Sequence, residues 1–312
     1  MTIAVLPALL RPLAGDLLPP SLEVRWFASN EELHALAPEA EIGWFDSYDK
    51  PSMRAAIERA ERLRWLNSVY AGVDHFPLDA LAARGTVLTN GKGINAIGIA
   101  EWVVMAMLTV AKGYADIVRA GDRREWLKGP AGTGELFDSR ALLLGAGAIG
   151  GEVGRRLAPM GVQVATVRRT PRDGDLGPAE WRARLGEFDW IILAVPDTCE
   201  TKNMIGAAEL AACKPSATLV NVARGSVVDQ DALAAALTAR KLHAAVLDAT
   251  DPEPLPPEHP LWRTPGVQIT HHLSGPSTTR MFERGAKRFL LNLARYRRGE
   301  PLEHQVDLAR GY

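Results

Sequence analysis

Three segments place chemically useful side chains directly after apolar runs. "NVARGSVVD" (221–229) carries Arg224, "LDATDPEPLP" (247–256) carries Glu253, and "ITHHLSG" (269–275) carries His272 beside His271. A guanidinium is a permanent cation whose planar fork of donors suits oxyanions. An imidazole exchanges a proton near neutral pH, and a carboxylate beside it favours the charged form. If the apolar runs are parallel strands, all three residues emerge at the carboxyl edge of one sheet, where ligands of such folds bind. Singly, each has an ordinary use: Arg224 as a cation at a helix start, Glu253 as a surface loop carboxylate, His272 as a hydrogen-bonded core histidine. Their joint order points to a catalytic constellation. Adjacent side chains on a strand face opposite ways, so only one of His271 and His272 is expected to face the site. The same geometry makes the pair a poor metal site, and the chain's two cysteines, Cys199 and Cys213, have no metal-ligand spacing. No metal is expected.

A second constellation lies upstream. "GAGAIG" (145–150) follows the apolar run "RALLL" and opens a helical stretch, with another apolar run, "VQVATV", after it. In that setting Gly145 permits the tight turn, Gly147 lets the backbone approach a pyrophosphate, and Gly150 allows close helix–strand packing. The helix start, with Ala148 and Ile149, supplies N–H groups and partial positive charge for phosphates. A site for NAD usually has an acid about 20 residues past the Gly-rich turn, on the ribose hydroxyls. Here the segment reads "VATVRRTP" (164–171), and Arg168 stands 18 positions past Gly150. Arginines there can grip a 2′-phosphate through charge-assisted hydrogen bonds. The expected cofactor is therefore NADP(H), with Arg168, Arg169 and Thr170 around the phosphate and NAD(H) as the second choice. The alternative is a solvated basic loop.

The elements that must position these residues alternate strand and helix, as in parallel sheets covered by helices. "TIAVL", "LEVRWF", "EIGWF", "RWLNSV" and "TVLTN" read as strands in the first part, with helices such as "SMRAAIERAERL" between some of them. The second part opens with a helix near 99–120, apolar on every face in its first half and so expected in a core or an interface. After the Gly-rich unit come "DWIILAVP", "ATLVNVA", "LHAAVLDA" and "VQITHH" as strands, then a last helix, "MFERGAKRFLLNLARYRRG". The break between parts falls near 95–100. Periodicity leaves the tail's allegiance open. Of 312 residues, 47% are hydrophobic and 23% charged, an ordinary balance for a globular enzyme, and the formal charge of −1 gives no global attraction to nucleic acid or to anionic membranes. Few cysteines and no basic leader point to a reducing cytoplasm.

Together with the "YAGVDH" loop (70–75), these motifs resemble the D-isomer-specific 2-hydroxyacid dehydrogenase family, from about residue 40 to the terminal "VDLARGY". The arginine pair, "DPEPLPPEHPLW" and the ending look most like its NADPH-dependent glyoxylate/hydroxypyruvate reductase branch. The resemblance implies an α/β fold of two Rossmann-like domains with a cleft between them. Residues 1–97 with 286–312 would form a flavodoxin-like substrate domain, and 98–285 a doubly wound dinucleotide-binding domain. It implies hydride transfer from NADPH to a small 2-keto acid, giving a D-2-hydroxy acid. His272 maps to the acid, Glu253 to its partner, and Arg224 to the group that binds the carboxylate and polarises the keto oxygen. The main-chain amides of Ala71 and Gly72 map to the carboxylate site, and Asp248 to the holder of the nicotinamide carboxamide. Val195, Pro196, Val222, Ala223 and Gly275 complete the cofactor-lining set. The helix near 99–111 maps to a homodimer element.

Departures from the family pattern are His271 in place of a proline and Glu101-Trp102 in place of a Glu-His or Glu-Tyr pair. Formate dehydrogenases carry glutamine where Glu253 stands, which speaks against that chemistry. Trp44, Phe45, Tyr48 and Tyr70 lie in segments expected along the cleft, where they suit either small acids or a stacked aromatic keto acid. The alternative from another class is a dinucleotide-sensing protein like the C-terminal-binding corepressors.

Overall fold

The computed structural model describes residues 2–47, 49–275 and 278–311, and the side chains of 278 and 279 are outside it. Tyr48 therefore lies outside the described residues. The chain divides into two compact units, Met1–Asn95 with Ser277–Tyr312, and Ala96–Pro276. The strands are β1 (Thr2–Pro7), β2 (Leu22–Phe27), β3 (Ile42–Gly43), β4 (Trp65–Asn67), β5 (Val87–Thr89), β6 (Arg140–Leu144), β7 (Gln163–Val167), β8 (Trp190–Leu193), β9 (Thr218–Asn221), β10 (Ala244–Leu247) and β11 (Val267–Ile269). The α-helices are α1 (Arg11–Ala14), α2 (Asn30–Leu36), α3 (Lys50–Arg59), α4 (Leu78–Arg84), α5 (Ala96–Ala111), α6 (Tyr114–Asp122), α7 (Ala148–Leu157), α8 (Ala207–Ala212), α9 (Gln230–Thr238) and α10 (Thr278–Arg297). The apolar runs singled out in the sequence all contain strands. The expected boundary at 285/286 falls inside α10.

The first unit holds a parallel sheet ordered β2-β1-β3-β4-β5, the flavodoxin-like arrangement. Alternation along the strands feeds two cores. Ala4, Leu6 and Trp65 pack on one face and Val5, Leu66 and Leu88 on the other. Helix α10 lays Phe289 on Trp65, stacked with ring centroids 5.0 Å apart. The tail joins this sheet: Val306 donates its N–H to Leu88 O at 2.8 Å, and Gln305 bridges Thr89. Trp44 and Phe45 are core residues rather than site residues. They leave the end of β3 toward opposite cores and are 0% and 1% exposed.

The second unit holds a six-stranded parallel sheet ordered β11-β10-β9-β8-β6-β7. Leu142, Leu144, Ile191 and Leu219 pack on one face, Ala141, Leu143, Ile192 and Val220 on the other. Beyond β7, Leu176 makes a single parallel bridge with Val167, where the doubly wound order would place its third strand. Pairing aligns the strand ends in one row: Val167, Leu144, Leu193, Asn221, Leu247 and Ile269. The helix expected near 99–120 is two helices, α5 and α6, bent by 70° about Gly113, which adopts a left-handed φ of 61°. Ala100, Val103, Ala106 and Met107 of α5 pack on the sheet, at helical spacing. The opposite side is mixed in character: Glu101 is exposed, Trp102 half-buried and Met105 45% exposed. Among the described residues, no single helix is long and apolar enough to cross a membrane.

Candidate active site

The aligned row explains why distant residues meet. Each of the six strands stops at the same level, and the next few residues are those the sequence singles out. After β6 comes the Gly-rich turn. Gly145 takes a φ of 103°, and any Cβ at Gly150 would stand 1.9 Å from the Gly145 carbonyl oxygen, so helix α7 can start this close to β6 only with glycine there. Gly147 is open, and no side chain caps α7. The first-turn N–H groups that follow, at Ala148, Ile149 and Gly150, are the set a helix leaves without internal partners. An open Gly147 before an uncapped helix start fits a pyrophosphate. Val195 and Pro196 follow β8, half-buried and exposed, and Val222 and Ala223 follow β9, both buried.

Asn221 shapes the turn after β9. Its Oδ1 accepts from Ala223 N–H at 3.0 Å and its Nδ2 donates to Arg224 O at 2.9 Å. Gly225 then runs against the next loop so closely that a Cβ would lie 2.0 Å from the Thr250 carbonyl carbon. Thr250 in turn donates its N–H to Glu253 Oε1 at 3.0 Å. The other carboxylate oxygen, Oε2, lies 2.9 Å from His272 Nδ1. Burial pushes the Glu253 carboxyl up, but the bonds from His272 and Thr250 and the charges of His272 and Arg224 outweigh it. The net result is below the usual carboxylate range. Glu253 is thus ionised at neutral pH. It holds one imidazole nitrogen and leaves Nε2 for a ligand.

His271 and His272 are not at a strand end. Strand β11 stops at Ile269, and both histidines sit in a turn with φ of 56°. Strand alternation therefore does not apply to them. The distinction is one of partners: His272 meets Glu253, while the His271 ring lies 5.6 Å from that of Trp262. Asp248 anchors this turn. Its Oδ1 accepts from Thr270 Oγ1 at 2.7 Å, Leu273 N–H at 3.0 Å and Ser274 N–H at 3.1 Å, and Ser274 Oγ binds Oδ2. Two consecutive left-handed non-glycine residues are costly, and this buried, multiply bonded carboxylate holds them in place. Gly275 follows, half-buried.

The two arginines after β7 are already paired. Arg168 donates Nη1 to Ala146 O at 2.9 Å and places Nε 2.5 Å from Asp175 Oδ2, while Arg169 lies 3.2 Å from Glu200. Thr170 is exposed. Sequence reasoning missed Asp175 and Glu200. The only signal was the acidic content of "PRDGD" and "TCE" near the basic pair.

In the first unit, the "YAGVDH" loop is pinned from below. Asn90 Nδ2 donates to Ala71 O at 2.8 Å, and Tyr70 donates its hydroxyl to Ser47 O at 3.2 Å. Asp46, another residue missed in the sequence, accepts from Ser68 Oγ at 2.6 Å, Val69 N–H at 2.6 Å and Trp44 Nε1 at 2.8 Å. This web leaves Ala71 exposed and Gly72 half-buried. No group of three or more His, Cys, Asp or Glu side chains suited to a metal occurs among the described residues.

Strand order, Gly-rich turn and the His–Glu pair define a dinucleotide-dependent dehydrogenase. Residues 104–274 match the D-isomer specific 2-hydroxyacid dehydrogenase NAD-binding domain. The glyoxylate/hydroxypyruvate reductase B of Pectobacterium atrosepticum is 30% identical over 271 residues, covering 79% of this chain and 84% of the relative. The solved structure of a D-isomer specific 2-hydroxyacid dehydrogenase family protein from Aeromonas salmonicida superposes with a TM-score of 0.88 at 30% identity, covering 98% of this chain and 99% of that one. A D-isomer specific 2-hydroxyacid dehydrogenase from Xanthobacter autotrophicus, solved with NADPH and MES, has a TM-score of 0.78 at 27% identity, covering 100% of this chain and 99% of that one. The chain belongs to the D-isomer specific 2-hydroxyacid dehydrogenase family, and is an NAD(P)-dependent oxidoreductase. The corepressor-like alternative has no support from these relatives.

Proposed function

We propose that the protein is a cytoplasmic, NADPH-preferring reductase of a short 2-keto acid, of the glyoxylate or hydroxypyruvate kind, yielding a D-2-hydroxy acid. The observation that carries the reading is the His272–Glu253 pair, held by the loops that leave the same row of strand ends as the Gly-rich turn. The N–H groups of Ala148, Ile149 and Gly150 would hold the pyrophosphate, with Val195, Pro196, Val222, Ala223 and Gly275 along the nucleotide. Arg168, Arg169 and Thr170 would meet the 2′-phosphate.

When bound, the reduced nicotinamide supplies a hydride, two electrons and one proton's mass, to the keto carbon. Everything else falls to the protein. Arg224 binds the substrate carboxylate and polarises the keto oxygen, so that negative charge developing on that oxygen is stabilised. The N–H groups of Ala71 and Gly72, in the first unit, are the ones that the family resemblance maps to a carboxylate. His272, protonated, gives the proton at Nε2 to the oxygen as the carbon is reduced, and is left neutral. Glu253 fixes the ring and stabilises its cationic form before the transfer. Asp248, with both oxygens engaged, is assigned to holding the His272 turn rather than to the carboxamide alone.

A homodimer of two-fold symmetry through 99–111 belongs to this reading; the exposed Met105 on α5 is the observation that favours it. Both cysteines are free thiols, which suits a reducing compartment. The test is one plate of initial rates, glyoxylate and hydroxypyruvate against NADPH and NADH. Rapid oxidation of NADPH with either acid supports the reading. Equal rates with NADH would leave the reductase and remove the 2′-phosphate role of the arginines. Tight NADPH binding without turnover on any 2-keto acid would overturn the activity.

A further inference from the structure

The connection after β7 is unusually short. Only residues 168–175 separate Val167 from Leu176, which pairs with it in parallel. A crossover helix needs more chain than that, so the loop folds back on itself. Arg168 N–H donates to Leu176 O at 3.1 Å, and Leu176 N–H to Thr166 O at 2.8 Å. The fold-back delivers Asp175 to Arg168. Asp175 is fixed by its own N–H, donated to Arg172 O at 2.9 Å, and by Arg172 N–H, donated to its Oδ2 at 3.1 Å. Its side chain is only 13% exposed. The Arg168 Nε contact is close but not aligned as a hydrogen bond, so the pair attracts as charges rather than through a straight N–H···O bond. Arg169 and Glu200 also pair, but both are exposed, and such pairs contribute little.

We propose that Asp175 is a cofactor-specificity residue: a carboxylate returned to the ribose corner by the short loop, which opposes a 2′-phosphate at Arg168. The proposal rests on the reading of Arg168 as the 2′-phosphate ligand. The strand end lacks the acid that an NAD site carries, and Asp175 brings one back from further along the chain. A 2′-phosphate arriving at Arg168 must share that cation with a fixed carboxylate of its own sign. Since Asp175 is largely withdrawn from water, salt screens the repulsion poorly. An unphosphorylated ribose meets no such repulsion, and its hydroxyls gain an acceptor. Preference for the phosphorylated cofactor is thereby held below what two unopposed arginines would give.

The experiment is calorimetric titration of the full-length protein with adenosine 2′,5′-bisphosphate and with 5′-AMP, which reads binding without turnover. Asp175→Asn removes the charge and keeps an acceptor for Arg172 N–H. It should tighten the 2′,5′-bisphosphate about tenfold, the size of a like-charge term across a few ångströms at a partly screened site. 5′-AMP should bind as before or more weakly. Asp175→Ser, also neutral, should move the ratio the same way. An unchanged ratio overturns the proposal. So does weaker bisphosphate binding, which would make Asp175 a prop for Arg168. Arg168→Gln is the separate control: it should weaken the bisphosphate alone. If it affects neither probe, the reading of Arg168 fails, and the Asp175 proposal with it. If Arg168→Gln behaves as expected and the Asp175 variants do not, only the proposal fails.

Discussion

Replacing Asp46 by asparagine should remove one titration from the protein's pH–stability curve. Asp46 is buried, and burial pushes its carboxyl up from an ordinary 3.8 to about 6, against the pull of its bonds from Ser68, Val69 and Trp44. Between these values the folded chain binds the proton more tightly than the unfolded chain. This contribution to stability is therefore full below about pH 4. It is lost as pH rises through about 6, and stays lost above. A shift of about two pH units corresponds to about 3 kcal/mol. Asparagine can keep all three contacts. Its oxygen can take Val69 N–H and Trp44 Nε1, and its amide can donate to Ser68 Oγ, the hydroxyl that now donates to the carboxylate. The variant then behaves like the protonated carboxyl at every pH. Urea unfolding of both proteins at pH 4.5 and pH 7.5 isolates the effect, because all other titrations cancel in the difference. The variant should gain on the wild type by about 2 kcal/mol between the two pH values. Parallel stability curves would refute the reasoning, and a variant that loses ground as pH rises would reverse its sign.

Other expectations concern the site itself. His272→Ala should lower kcat by about 10²–10⁴-fold with NADPH binding intact by fluorescence titration, whereas His271→Ala, which removes the ring contact with Trp262, should retain most activity. Glu253→Gln keeps the acceptor for Thr250 N–H but removes an ionised partner from His272, so kcat for reduction should fall by about tenfold or more with cofactor affinity unchanged. Gly150→Ala should abolish NADPH binding or folding, because its methyl group would meet the Gly145 carbonyl at 1.9 Å; a variant that binds normally would show that α7 can shift away from β6.

The fold was legible in the sequence because parallel strands buried on both faces read as apolar runs, as β6, β8, β9 and β10 do. The row of strand ends was legible for the same reason: chemistry-bearing residues stood directly after those runs. What the sequence did not disclose is geometry decided by few residues. A turn of two left-handed histidines cannot be told from a strand end by pattern, and nothing in the pattern shows that Asp248 also holds that turn. Trp44 and Phe45 looked like site residues because β3 is two residues long, and so short a strand gives no alternation by which to assign their faces.

Arg168 shows where residue type stops being informative. The change from acid to arginine at the strand end is visible from composition and spacing alone, and it argues for a 2′-phosphate. Whether that cation is available depends on its neighbours, and those depend on the length of the loop that follows. Had the connection from Val167 been a helix of ordinary length, the chain would have run away from the ribose corner, and a later aspartate would have been irrelevant to the cofactor. Because Leu176 returns to pair with Val167, the residue just before it must lie close to the end of β7. The charge available at Arg168 is therefore set by that residue, by Asp175 and by the loop that joins them. A change in loop length should alter cofactor preference as surely as a change of either residue.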